Sequence, residues 1–356
     1  MTRFNVTAEN HAHDVLIGPL ADAASAVTGL AGGRPLPLIT DDHIWALHGA
    51  AIEALFDVEL IRVPRGEQAK TWDNLRGVTE RLVALGATRD TPILALGGGS
   101  VGDLAGLAAS LFKRGCPVIH IPTTLLAQAD SAVGGKTAID AFGHKNLIGT
   151  FHPPALVVAD IAFLDTLDDR QLRAGYAEVV KYGLIGDPDF FAWCEANGSA
   201  LLTGDPAARA FSVEHCLRAK AAFVADDLRD RAGRRALLNF GHTFGHAIEA
   251  AAGLGDVLHG EAVAVGMVVA FALSAELGLC SSQDKLRAQD HLKSVGLPTT
   301  LSDVGVAPEA LMPFVLHDKK AGHAGLALIL ARGIGQAFVS RDVAPDRLAG
   351  FLASAA

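Results

Sequence analysis

Three histidines and two nearby glutamates have the residue types and the spacing of a divalent-metal site. His242 and His246 are four residues apart, and His259 precedes Glu261. Histidines at positions i and i+4 project from the same side of a helix. Zinc prefers imidazole and carboxylate donors, and it becomes catalytic when a coordination position stays open to substrate. The pattern predicts a metal site to which Glu249 or Glu261 could contribute and leaves open which groups bind, with ordinary core or surface histidines as the alternative.

A glycine-rich turn offers a second site. Residues 93–96 predict a strand that runs into GGGSVGD at 97–103, which matches G-x-G-x-x-G. Glycines there let the backbone approach a pyrophosphate at a helix N-terminus. The next predicted strand ends at Ile121 without the acidic residue of a regular dinucleotide-binding unit, so Asp41 is the candidate acid. The alternative is a plain glycine turn.

A second glycine pair excludes one class of enzyme. GGKT at 134–137 resembles the end of a nucleotide-binding P-loop, but Asp130 stands where that motif requires glycine. A nucleoside-triphosphatase is therefore not expected. The sequence predicts a flexible turn that presents Lys136, with Lys145 and Asn146 shortly beyond, and a solvated surface loop is the alternative.

A carboxylate and an amine face each other farther along the chain. Glu178 and Lys181 are at positions i and i+3 within the apolar run AEVVKYG at 177–183. A surface ion pair would explain them, but their neighbours indicate burial. Buried charges need partners such as a metal or an anion.

Composition limits the class of protein. The 356 residues are enough for two domains, and half are hydrophobic. A formal charge of -9 argues against non-specific binding to nucleic acid or anionic membrane. Four scattered cysteines without a C-x-x-C pair suit reduced thiols, and the N-terminus lacks the apolar core of a secretion signal, so we expect a cytoplasmic protein. The apolar run 262–275 is too short for a bilayer and predicts a buried helix.

The elements that must position these residues alternate in the first part of the chain. Short apolar runs between helical patterns predict a parallel sheet flanked by helices. After about Leu164 helical patterns take over. We expect an α/β, Rossmann-like domain at 1–164 and a mainly α-helical domain at 165–356. The predicted strands are 36–40, 59–63, 93–96, 118–121 and 156–159.

Three segments together resemble the 3-dehydroquinate synthase family, one of the sugar phosphate cyclases. They are LLAQADSAVGGKT at 125–137, GYAEVVKYG at 175–183 and NFGHTFGH at 239–246. The similarity runs from about residue 39 to residue 320. It implies NAD binding by the α/β domain, and binding of metal and substrate by the helical domain.

The resemblance implies a ligand set that spacing left open. The metal, zinc or cobalt, would be held by Glu178, His242 and His259, while His246 would handle protons. NAD would bind to Asp41, Gly66, Glu67, Gln68, Lys70, Gly99, Ser100, Val101, Gly102, Asp103, Thr123, Thr124, Lys136, Lys145, Phe163, Leu164, Asp165 and Thr166. Substrate contacts would come from Arg114, Asp130, Lys136, Asn146, Lys181, Lys220, Arg235, Asn239, His246, and Lys319 or Lys320.

The implied enzyme is a phosphate-eliminating carbon–oxygen lyase of aromatic amino acid biosynthesis. It would act on 3-deoxy-D-arabino-heptulosonate 7-phosphate by transient oxidation at C5, loss of phosphate, re-reduction, ring opening and an intramolecular aldol step. Arg114, Lys136 and Asn146 would hold the phosphate, and Arg235 with Lys220 the carboxylate, since a guanidinium binds both carboxylate oxygens. The resemblance also suggests a homodimer.

Three alternatives remain. Other sugar phosphate cyclases accept substrates without the carboxylate, but Arg235, Asn239 and His246 favour a substrate that carries one; an amino-substituted substrate would fit equally. Metal-dependent polyol dehydrogenases would not need the phosphate-holding cluster around Lys136 and Thr137, and Lys145 and Asn146. A non-catalytic relative would have lost some of the residues Glu178, Lys181, His242 and His259, and all four are present.

Overall fold

The chain divides into two compact units. The computed structural model describes residues 1–9, 11–225, 227–229, 233–253, 255–317 and 326–354. The first unit comprises Met1–Asp168 and Arg209–Arg229, and the second comprises Asp169–Ala208 and Asp230–Ala356. The observed break at Asp168 lies near the predicted boundary at 164, but the return of 209–229 to the first unit was not predicted. Helical periodicity does not reveal which neighbours a helix packs against.

Strands and helices alternate through much of the first unit, whereas helices dominate the second. The strands are β1 (Thr2–Ala8), β2 (His11–Ile17), β3 (Leu36–Asp41), β4 (Val58–Val63), β5 (Ile93–Gly97), β6 (Val118–Pro122), β7 (Lys136–Ala141), β8 (His144–Phe151), β9 (Leu156–Ala159), β10 (Leu328–Ala331) and β11 (Ala337–Ser340). The helices are α1 (Leu20–Ala31), α2 (Asp42–Glu53), α3 (Trp72–Ala84), α4 (Gly99–Leu111), α5 (Asp169–Gly186), α6 (Pro188–Leu202), α7 (Pro206–Ala225), α8 (His242–Ala252), α9 (His259–Glu276), α10 (Ser282–Ser294), α11 (Met312–His317) and α12 (Pro345–Ser354).

A seven-stranded sheet forms the centre of the first unit. Its order is β1-β2-β9-β6-β5-β3-β4, and every neighbouring pair is parallel except β1 and β2. All five predicted strands are present, which confirms the α/β, Rossmann-like class. The strands β1 and β2 were missed, because alternating polar residues give a weaker signal than continuous apolar runs.

Both faces of the sheet are buried. Ile39 and Ala95 belong to one apolar cluster, while their chain neighbours Leu38 and Leu94 belong to another. Successive side chains of a strand point to opposite faces, so a strand covered on both sides must be apolar throughout. This explains why the central strands were predictable from sequence.

A turn and bend at residues 132–134 precede Lys136, as predicted, but regular structure follows them. Lys136 begins β7, and Lys145 and Asn146 lie in β8, which pairs with β7 as a two-stranded antiparallel ribbon. Thr137 donates from its hydroxyl to the carbonyl of Thr150 at 3.0 Å across the ribbon. The two lysines are therefore carried by regular structure.

The second unit is mainly helical, as predicted, with one additional strand pair formed by β10 and β11. Among the described residues, α9 (His259–Glu276) is the one helix whose length and composition would allow it to cross a membrane, but 72% of it is buried within the protein. That burial confirms the predicted core helix, which extends beyond the run 262–275.

Candidate metal centre and cofactor pocket

Glu178 is a buried carboxylate on α5. It and Lys181, one turn later, each have side chains only 1% exposed, and the Lys181 ammonium donates a hydrogen bond to Oε2 of Glu178. The other oxygen, Oε1, is buried and has no hydrogen-bond partner. An acceptor that is desolvated and unpaired costs about 1–3 kcal/mol or more when it is charged. A bound cation would remove that cost.

Two imidazoles face the unpaired oxygen. The Nε2 atoms of His242 and His259 each lie 3.7 Å from Oε1 of Glu178. One potential ligand atom from each of the three residues lies within 4.8 Å of the others. The donor set of one carboxylate and two imidazoles is the type that zinc takes at catalytic sites.

His242 is held in the form that binds metal. Burial, and then the positive charge of Lys181, lower the pKa of His242 well below its usual value. Its Nδ1 lies 3.2 Å from the backbone carbonyl of Phe240, which can accept a hydrogen bond from that nitrogen. A neutral imidazole whose Nδ1 carries the proton has its lone pair at Nε2, toward Glu178.

A second group of possible ligands shares one of these histidines. It consists of His246, Glu249 and His259. Within the described chain, neither group contains both His242 and His246, whose rings are 5.5 Å apart between centroids. Among the described residues, the structure therefore groups His242 with Glu178 and His259 as possible ligands.

Glycines allow the three helices to bring these groups together. A Cβ atom on Gly260, the residue after His259, would lie 1.8 Å from the carbonyl oxygen of Ala174 in α5. A Cβ on Gly266 of α9 would lie 2.1 Å from the carbonyl oxygen of Gly241 before α8. Only glycine permits such close backbone approach. The glycines beside the histidines in the sequence therefore serve helix packing.

The predicted glycine turn joins β5 to α4 as expected. A pocket in the first unit is lined by Gly98, Gly99, Asp103, Ser131 and Lys136, among others. A Cβ on Gly98 would lie 3.1 Å from Cγ2 of Thr124, and one on Gly99 would lie 3.2 Å from the hydroxyl of Ser131. Side chains there would narrow the pocket, so its glycines suit a phosphate group that must approach the backbone.

Asp41 lies at the end of β3, next to β5 in the sheet. Its carboxylate accepts a hydrogen bond from the backbone N–H of Ile44 at 2.9 Å and so caps α2. The placement at the carboxyl end of the sheet suits the predicted acid of a dinucleotide site. Its capping bond uses one oxygen of the carboxylate.

A buried lysine connects the glycine turn to the β7–β8 ribbon. Lys70 is 3% exposed and donates to Oδ2 of Asp103 at 2.8 Å and to the side-chain oxygen of Asn146. Burial alone would lower the pKa of Lys70, but Asp103 and Glu67 outweigh it and raise the pKa. The side chain of Asn146, which is predicted to bind the phosphate, accepts a hydrogen bond from this lysine, and its backbone has φ 54°. Ser100 donates to Glu67 at 2.5 Å.

Lys220 and Asp130 form a pair within the first unit. The ammonium of Lys220, on α7, lies 3.1 Å from Oδ1 of Asp130 and donates to its backbone carbonyl at 2.8 Å. Asp130 lies in a π-helical turn, Ala127–Ser131, and such turns are frequent at functional sites. Arg235, expected beside Lys220, belongs to the second unit, where it is buried in a 3-10 helix that ends at Asn239.

The remaining predicted residues occupy several places. Thr123 is buried after β6, and Thr124 caps the following turn by accepting from Ala127 N at 3.2 Å. In the 3-10 helix Ile161–Thr166, Asp165 pairs with Arg209 at 2.6 Å, a partner that sequence reasoning missed. An exposed 3-10 turn contains Gly66, Glu67 and Gln68. The first turn of α4 contains Val101 and Gly102. Arg114 is exposed, and its backbone has φ 67°. Lys319 and Lys320 lie outside the described residues.

Two family models match adjacent parts of the chain. The model described as "3-dehydroquinate synthase N-terminal" matches residues 60–174, and "3-dehydroquinate synthase C-terminal" matches residues 175–321. Among curated relatives, the 3-dehydroquinate synthase of Caulobacter vibrioides is 51% identical over 96% of this chain and 95% of the relative. That of Zymomonas mobilis is 47% identical over 97% and 94%.

Solved structures show the same architecture. A 2-epi-5-epi-valiolone synthase from Streptomyces hygroscopicus with NAD+ and Zn2+ bound is 31% identical, with a TM-score of 0.89 over 99% of both chains. A 2-deoxy-scyllo-inosose synthase complexed with carbaglucose-6-phosphate, NAD+ and Co2+ is 28% identical, with a TM-score of 0.89 over 100% of both chains. An iron-containing alcohol dehydrogenase, at 17% identity and a TM-score of 0.65 over 99% and 98%, shares the fold alone.

Proposed function

This chain belongs to the 3-dehydroquinate synthase family, and we therefore propose that it converts 3-deoxy-D-arabino-heptulosonate 7-phosphate to 3-dehydroquinate and phosphate. The observation that carries the proposal is the unpaired Oε1 of Glu178, which faces the Nε2 atoms of His242 and His259 at 3.7 Å. The enzyme is a phosphate-eliminating lyase that uses NAD and a divalent ion, Zn2+ or Co2+.

The cofactors supply the reactivity. When bound, NAD would supply a reversible hydride acceptor for C5 of the substrate, and the metal ion would make the hydroxyls that it binds more acidic. Glu178, His242 and His259 hold the ion. Lys181 donates a hydrogen bond to Oε2 of Glu178 and so limits the negative charge at the site. His246 takes up the proton of the reacting hydroxyl.

The first unit binds NAD. The glycines of the turn at 97–103 admit the pyrophosphate to the backbone, and their close spacing to Thr124 and Ser131 supports this role. Asp41 binds a ribose hydroxyl. Lys70 fixes the turn through Asp103.

Basic residues bind the two anionic ends of the substrate. Arg114, Lys136 and Asn146 bind the phosphate, and Arg235 with Lys220 binds the carboxylate. The direct contact of Lys70 with Asn146 argues that Asn146 supports the ribbon in addition to any contact with phosphate. Charge-assisted hydrogen bonds of this kind are roughly twice as strong as neutral ones. The molecule works as a homodimer in the cytoplasm.

The test measures phosphate release and NADH absorbance after metal-loaded protein is mixed with the heptulosonate phosphate and a trace of NAD. Many phosphates released per NAD, no lasting NADH and loss of activity with a chelator are expected. Stoichiometric NADH without phosphate would identify a dehydrogenase. A panel of sugar phosphates without the carboxylate is the control, and turnover of these substrates alone would identify a different cyclase.

A further inference from the structure

We infer that Glu249 is a positioning residue for His259: its carboxylate accepts a hydrogen bond from Nδ1 of the ring and so turns Nε2 toward Glu178. The inference rests on the proposed metal site. Nothing in the sequence pattern distinguished Glu249 from other nearby acids.

The ring of His259 lies between two carboxylates. Its Nδ1 is 3.3 Å from Oε2 of Glu249, and its Nε2 is 3.7 Å from Oε1 of Glu178. Glu249 is 4% exposed, so water does not compete freely for its oxygens. Each nitrogen of the ring therefore faces a different acidic residue.

The chemistry of the two groups fixes the proton. An ionised carboxylate only accepts hydrogen bonds, so the nitrogen that faces Glu249 must carry the hydrogen. In a neutral imidazole the other nitrogen then has a lone pair, which is the form that a metal binds. Hydrogen bonds of this kind to a metal-binding histidine orient its ring and raise its basicity.

His242 shows the same arrangement with a different acceptor. Its Nδ1 faces the carbonyl of Phe240 at 3.2 Å, and its Nε2 faces the same Oε1 of Glu178. Both histidines thus have an oxygen at Nδ1 and the unpaired carboxylate oxygen at Nε2. For His242 the acceptor belongs to the backbone, whereas for His259 it is a side chain that substitution can remove.

Glu249 could instead be a ligand of an ion held with His246 and His259. For two ions to be bound at once, the His259 ring would have to coordinate through both nitrogens and lose its N–H proton. A single ion at the Glu178 group leaves that proton in place and satisfies Glu249. The oxygen without a hydrogen bond belongs to Glu178, which favours the ion on that side.

The backbone of His259 is held by separate contacts. Arg170 of α5 donates two hydrogen bonds to Glu261 at 2.6 and 2.8 Å, and Glu261 accepts from Leu258 N at 2.9 Å. These bonds fix the start of α9 but do not set the rotation of the His259 ring. Glu249 contacts the ring itself, through Nδ1.

The experiment compares the full-length variants Glu249→Ala and Glu249→Gln, with Glu195→Gln, which removes the charge of an ion pair with Arg287 in the same unit, as the control. Zinc affinity is measured by competition with a chelator. The tautomer of His259 in metal-free protein is read from nitrogen-15 NMR of histidine-labelled samples, with His259→Gln used for assignment.

We expect wild-type His259 to carry its proton on Nδ1, and Glu249→Ala to mix the tautomers and weaken zinc binding about 10- to 100-fold. Glu249→Gln, which keeps an acceptor oxygen, should lose less. The control should match wild type in both measurements. If Glu249→Ala does not fold, Glu249→Leu, which fills the space but cannot accept a hydrogen bond, replaces it with the same expected result.

Wild-type zinc affinity and an unchanged tautomer in the Glu249 variants would overturn the inference, as would two zinc ions per wild-type chain with one lost in Glu249→Ala. The proposed metal site is tested separately by His242→Ala. If that variant also retains zinc, the metal assignment fails; if it loses zinc while the Glu249 variants keep it, only the positioning role fails.

Discussion

Each unit of the molecule contains a buried lysine beside a carboxylate. The two lysine sites differ in whether every buried oxygen of the carboxylate has a partner. In the first unit, Lys70 lies 2.8 Å from Asp103, with Glu67 at 3.7 Å and Asp140 at 4.0 Å. In the second unit, Lys181 pairs with one oxygen of Glu178.

The remaining atoms show the difference. The carboxylates around Lys70 offset its charge within the protein, whereas Oε1 of Glu178 has no hydrogen bond and faces two imidazole nitrogens. Charges that pair with one another, as around Lys70, can stabilise the fold. A buried acceptor that has no partner, such as Oε1 of Glu178, requires an additional cation. Burial of a charged pair alone does not distinguish the two cases.

The largest effect is expected at the group formed by Glu178, His242 and His259. His242→Ala should lose metal and reduce kcat by a factor on the order of 1,000 or more, because the ion loses one of its ligands. His246→Ala should keep about one metal ion per chain. Metal analysis after dialysis checks both. A metal-free His246→Ala protein beside a loaded His242→Ala protein would reverse the assignment.

Substitution of Lys70, in the first unit, should change the stability of the protein. Lys70→Met removes the cation nearest to the partly exposed Asp103, and the free energy of unfolding should fall by about 1.5–3 kcal/mol. Denaturant unfolding measures this. Arg76→Ala, which breaks an exposed pair with Glu80, is the control and should change stability by about 0.5 kcal/mol or less. Zinc affinity should remain unchanged in Lys70→Met. A loss of zinc would contradict the purely structural role that we assign to Lys70.

Buried histidines of the first unit should make the stability of the protein depend on pH. Burial lowers the pKa of His13 and of His120 to about 4, so in the folded protein both stay neutral while the unfolded chain takes up protons near pH 6.5. Stability is present above pH 6.5 and is lost as the pH falls toward 4. His120→Gln should flatten this fall by up to about 3 kcal/mol, at about 1.4 kcal/mol per pKa unit. A slope equal to that of wild type in unfolding at several pH values would contradict it.

The smallest effect is expected at the substrate carboxylate. Arg235→Ala should raise KM for the heptulosonate phosphate about 10- to 100-fold, since a charged hydrogen bond contributes about 1.5–3 kcal/mol. NAD affinity should change far less, because NAD is assigned to the first unit. Steady-state kinetics and NAD titration check this, and equal losses for both ligands would count against the assignment.

The central strands could be predicted from the sequence, whereas the set of Glu178, His242 and His259, which the structure brings together, was implied only by the family resemblance. Strands buried on both faces are mostly apolar, so β3, β5, β6 and β9 were evident. The ribbon of β7 and β8 was missed, because its glycines and polar residues are typical of loops. Segment 209–229 was missed as part of the first unit, because its helical pattern does not state which neighbours it packs against.

The sequence by itself determined the chemistry available to this protein: imidazoles at helical spacing, a carboxylate and lysine one turn apart, and glycines after a strand. The tertiary structure decided which of these groups meet. Helix geometry fixes neighbours within one helix, but the meeting of Glu178 with His242 and His259 depends on how closely three helices pack. Glycines at the contact points permit that approach, and the orientation of the His259 ring depends on Glu249, whose role appears only when both nitrogens of the ring can be followed to their partners.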